Sequence, residues 1–114
     1  MRQILTALAL CLSLGAPAHA QLVIEGRDAQ ALHCAAMLFM VSSEMFDAGV
    51  ISRNTRDSAQ QAALIMLERV PGTDQQRTQA MSQRFERIMS SRSPEELFNE
   101  YASTANWCRR NILN

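Results

Sequence analysis

Apolar residues recur along this chain at helical three-to-four spacing in four segments, and no stretch of useful length alternates with period two. The first segment runs from about Asp28 to Phe46 or Asp47 and stops at Gly49, which suits the left-handed conformation that closes a helix. Ala31, Ala35, Phe39 and Phe46, flanked by Leu32 and Ala36, make one apolar stripe. Leu38, Val41 and Met45 make a second beside Cys34. Between Ala31 and Phe46 the polar residues are His33, Ser42, Ser43 and Glu44. A helix apolar on nearly every side is buried by its own protein or by a partner.

The second segment starts at Asn54 or Thr55, either of which can cap, and runs to Val70, where Pro71-Gly72 stops it. Its inward face is Ala59, Ala63, Met66 and Val70. The third begins at Thr73, with Gln76 three residues on as the reciprocal capping partner. It carries Met81, Phe85, Ile88 and Met89 inward and ends near Ser90–Arg92. The fourth opens with Ser93-Pro94-Glu95-Glu96: a cap, a proline at the first helical position, and glutamates where the helix dipole favours them. Leu97, Tyr101, Ala105 and Cys108 follow as one stripe, and Asn111–Asn114 is expected to fray. The expected fold is all-α.

The start of the chain follows a different pattern. Arg2 precedes an apolar run from Ile4 to Leu14, a Gly15/Pro17 break, and small residues at Ala18 and Ala20. This is the layout of a cleavable export signal spanning residues 1–20. The run is shorter than the roughly twenty residues a bilayer span needs, so no stable membrane span is expected after signal removal. Cys11 lies inside the apolar run behind Leu10, which is not the setting of a lipidation site. Residues 21–114 then form a single helical domain, periplasmic or secreted.

In that compartment the remaining cysteines, Cys34 and Cys108, are expected to pair. The bond closes a loop of about seventy-five residues, a stabilisation of roughly 4 kcal/mol on the chain-entropy model. Short connections favour antiparallel neighbours. In a four-helix up-down-up-down bundle the start of the first helix and the end of the fourth share one pole, where the two cysteines would meet.

Charge narrows the function classes. The sequence holds 11 basic and 11 acidic side chains. Removing Arg2 with the signal leaves a net charge of about −1, with no basic surplus to favour nucleic acid. Catalysis lacks groups. His33 is the histidine of the mature domain, and Ser42, Ser43 and Glu44 lie nine or more residues along the same helix, about 13 Å or more of rise. Glu96 and Glu100 are four apart, but Ser103 stands where a di-metal motif needs histidine. No Cys-x-x-Cys pair and no glycine-rich phosphate loop is present. The sequence calls for no cofactor.

One constellation has chemical character. His33, Met37 and Met40 fall on one α-helical face with Glu44 following, and thioether plus imidazole can hold Cu(I). Methionine also fills core gaps and adapts to varied partner surfaces. Trp107, off the stripe of the fourth segment, is either a lid over the bundle end or an interface anchor. The expectation is therefore a non-catalytic, periplasmic protein-binding module of chaperone, inhibitor or accessory-subunit type, contacting another protein or a second copy through His33, Met37, Met40, Glu44 and Trp107. The rivals are a copper-binding protein using His33, Met37 and Met40, and a small secreted enzyme.

Overall fold

The computed structural model describes residues 24–113; the expected signal segment, with Cys11, lies outside them. The described residues form an all-α, four-helix bundle stapled by a disulfide, without strands. Helix α1 comprises Gly26–Ala36, a π turn Met37–Val41, and Ser42–Asp47; α2 is Arg53–Leu67, α3 is Asp74–Ser91 and α4 is Pro94–Cys108, extended by a π turn Arg109–Leu113.

Helix α1 is the hub. Ala31, Cys34, Ala35, Ala36, Leu38 and Val41 are each no more than 1 % exposed. The other three helices pack on this near-continuous apolar surface: α2 along most of its length, α3 on Gly26–Ala36, and α4 chiefly on the π turn. Such enclosure is why the α1 sequence is apolar on two stripes rather than one. Gly49 ends the helix at φ +74°, with the Gly49 N–H donating to the Phe46 carbonyl and the Val50 N–H to that of Met45. That is the Schellman closure, in which the left-handed residue is strained for any side chain with a Cβ.

Two boundaries differ from the sequence reading. Helix α2 is capped by Ser52, not Asn54 or Thr55: the Ser52 hydroxyl accepts from the Thr55 N–H at 3.2 Å. Thr55 occupies the third helical position, and its own hydroxyl meets that of Ser52 at 2.9 Å. The second difference is at the C-terminus, where Asn111 and its neighbours do not fray. They continue helically, with Ile112 1 % exposed and the π turn packed on α2. The apolar contact of Ile112 outweighs the end-of-chain entropy that argued for fraying.

Helices α3 and α4 begin as the sequence predicts. Both carry complete capping boxes, Thr73 with Gln76 and Ser93 with Glu96. Only Arg92 and Ser93 separate the two helices, so the second box also sets the corner between them. Ser93→Ala should cost about 1 kcal/mol, read as a lowered urea midpoint, whereas Ser93→Asp, which keeps the acceptor, should hold near the parent value. Equal stability of the alanine and aspartate variants would show that the cap does not matter at this corner.

The closing bond is Cys34–Cys108, with Cα atoms 5.7 Å apart and both residues buried. Beside it the Arg27 guanidinium donates to the Asn111 carbonyl at 2.7 Å. The exit of α4 thus returns to the entrance of α1, as the sequence pattern requires. Among the described residues no helix is long and apolar enough to cross a membrane.

Candidate functional site

On an uninterrupted α-helix, His33, Met37, Met40 and Glu44 would share an arc of about 60°. The π turn breaks that register. Its wider turn takes one extra residue and rotates everything beyond it by about 100°. Met37, one turn beyond His33 and ahead of that shift, is core at 2 % exposed, while His33 and Met40 are half-buried and Glu44 is exposed. The expected four-residue face is split, and its second member faces inward.

The same rotation brings Val41, Ser42 and Met45 into the interior. Ser42 is fully buried, and its hydroxyl donates to the Phe39 carbonyl at 3.0 Å, which satisfies it inside its own helix. A hydroxyl held in this way is not poised as a nucleophile. His33 sits far up the same helix in a different environment. Its Nδ1 accepts from Arg84 Nε at 3.2 Å, so the neutral ring carries its proton on Nε2. Burial and then the Arg84 and Arg92 guanidinium groups hold its pKa below the ordinary 6.5. With one ring nitrogen engaged by a cation, a second cation nearby and Met37 in the core, the three candidate copper donors do not share an exposed face. Among the described residues no cluster of three or more His, Cys, Asp or Glu is arranged for a metal.

The outer surface of the α1–α2 hairpin has more to offer. Gln60 Nε2 donates to Ser43 Oγ at 2.9 Å, and the Arg56 guanidinium lies 4.3 Å over the Phe46 ring. These two contacts join the last part of α1 to the first half of α2, and Leu64 follows Gln60 by one turn on the same side of α2. Phe39 is half-buried, and Leu64 and its neighbour Ile65 are 50 % and 53 % exposed. Val50, in the hairpin loop, is 54 % exposed. A partly open seam with apolar residues at both ends thus runs along the hairpin.

Sequence reasoning missed Leu64 and Ile65. The signal was there: Ala59, Ala63, Met66 and Val70 already fill the inward face, which leaves these two outside it. Trp107 is 41 % exposed. It lies on α4, with Asn111 Nδ2 donating to its carbonyl at 2.8 Å. The depressions along α3, one lined by Asp74, Gln75, Thr78, Gln79 and Ser82 and the other by Gln83, Glu86, Arg87 and Ser90, are each formed by that helix alone and bring no facing groups together. Comparison of the chain with family models, with curated proteins and with solved structures found no match.

Proposed function

We propose that this protein is a non-catalytic binding module that works outside the cytoplasm and holds another protein against the outer face of its α1–α2 hairpin. The observation that carries the reading is the pair Leu64 and Ile65, adjacent and half exposed on a rigid helix whose inward face is already full. Scattered apolar residues on a surface need no explanation, but adjacent ones beside a half-buried aromatic seam form the kind of patch that interfaces use. On α1 Met40 is half-buried and Glu44 exposed, and on α4 Trp107 is 41 % exposed, so each is open to a partner. Export is supported by the leader pattern of residues 1–20 and by the oxidised cysteine pair.

Leu64→Asp combined with Ile65→Asp tests the reading. The side chains are solvated, so stability should move by no more than about 0.5 kcal/mol per site, and the circular dichroism spectrum should match that of the parent. A photoreactive residue at position 61 should crosslink a partner in the native compartment with the parent and lose that product in the double variant. Sedimentation of the purified domain shows whether the partner is a second copy. An unchanged crosslinking pattern with a folded double variant would remove the hairpin face as the contact surface.

A further inference from the structure

Helix α3 is the least enclosed of the four. Of its residues Asp74–Ser91, Met81 and Ile88 are buried, and Ala80, Phe85 and Met89 only partly so. It packs chiefly on the Gly26–Ala36 portion of α1. Among the described residues one side-chain hydrogen bond joins α3 to α1: Arg84 Nε to His33 Nδ1. The other ties lie at the ends. Arg77 reaches the Glu68 and Val70 carbonyls at 3.4 Å each, and Arg92 pairs with Glu100 of α4. Proline and glycine at 71–72 precede α3, with Gly72 at φ +109°, and Arg92 beyond it is extended. Both flanks are therefore non-helical, and α3 can move as a unit.

We propose that His33 is an acid-sensitive latch on α3: when its Nδ1 takes a proton from solvent, the bond from Arg84 is lost and α3 loosens from α1, uncovering Met81, Phe85, Ile88 and Met89. An imidazole nitrogen that carries a proton cannot accept a second one from a guanidinium. The protonated ring is also charged, and the groups around it are of the same sign. From α3 the facing group is Arg84, and from the α3–α4 corner Arg92, whose charge is partly offset by Glu100 of α4. From the end of α2, Glu68 and Arg69 are exposed and make no pair with the ring, and on α1 no carboxylate lies within ion-pair distance of it. Protonation thus exchanges an attractive contact for a cluster of cations.

The sign follows from linkage. The docked state holds the His33 pKa below 6.5, and release lets it return toward that value. Docking is therefore at full strength above pH 6.5 and weakens as pH falls toward the lowered, docked value, below which the loss levels off. One proton is taken up per opening, so the opening constant rises by up to tenfold per pH unit within that window. The latch stands whether or not the α1–α2 face binds a partner.

Amide hydrogen exchange on the disulfide-intact domain, between about pH 7 and pH 5.5 and corrected for the intrinsic pH dependence of exchange, tests the proposal above the range where most carboxylates titrate. The expected result is an opening constant for α3 amides that climbs as pH falls, while α2 amides from Ala59 to Leu67 stay flat. His33→Gln keeps an acceptor for Arg84 but cannot be protonated, so its α3 opening should be independent of pH. Equal acid sensitivity of α2 and α3, or a pH dependence that survives in His33→Gln, would overturn the latch.

Discussion

Replacing both Cys34 and Cys108 with alanine should lower the unfolding free energy by about 4 kcal/mol. The bond spans 74 positions and joins the first helix to the last, so most of the chain lies inside the loop it closes. Its main effect falls on the unfolded chain, which is held to a smaller set of conformations. The folded spectrum should therefore change little while the urea midpoint drops and the slope of the transition rises, because the freed denatured chain exposes more surface. For a domain near ninety residues the loss corresponds to a fall in melting temperature on the order of 20 °C. Alanine is the right replacement, since each sulfur sits in a site at most 1 % exposed where a serine hydroxyl would need a partner. A midpoint within experimental error of the parent would mean that the unfolded chain is already compact without the bond.

The same bond shows how much of the fold was legible beforehand. Helix α4 declares itself through Ser93-Pro94-Glu95-Glu96 and a four-residue stripe, all of which is buried as expected. These are local signals, set by backbone amides within one turn and by a single apolar face. The α2 start was harder to place because Ser52, Asn54 and Thr55 are all competent caps within four residues. The choice among them depends on how Val50 and Ile51 leave the Gly49 turn, which is a matter of the hairpin rather than of the cap.

The position of the π turn was not legible in the apolar pattern. The α1 sequence is apolar on so many sides that a one-residue slip in register leaves the pattern equally apolar. Only the demands of α2 and α4, which both press on Met37–Val41, select where the extra residue goes. That is why the candidate face of His33, Met37, Met40 and Glu44 looked continuous in the sequence and is split in the structure. The buried Ser42 was the available hint. A serine among apolar residues, able to return its proton to a carbonyl in the preceding turn, often accompanies a local distortion of helical hydrogen bonding. Of the candidate surface, Trp107 and Glu44 are exposed and Met40 partly so, whereas Leu64 and Ile65 emerge only once the inward face of α2 is known to be full.

Leu38→Ala should be the most damaging single core substitution, costing about 2–5 kcal/mol. Leu38 is fully buried and belongs to the π turn where both α2 and α4 meet α1. Truncating it opens a cavity at the junction of three helices. Collapse into that space is restricted because Cys34, one turn earlier, is covalently tied to α4. Leu64→Ala removes the same atoms from a half-exposed site and should cost within about 0.5 kcal/mol, so the ratio of the two measures burial rather than chemistry. The effect should also depend on the staple. Without the Cys34–Cys108 bond α4 can shift into the cavity, and the cost of Leu38→Ala in that background should be smaller than in the parent, a coupling that a double-mutant cycle reads directly. Strict additivity would imply that α4 is held in place by packing alone and that the bond does not stiffen the hub.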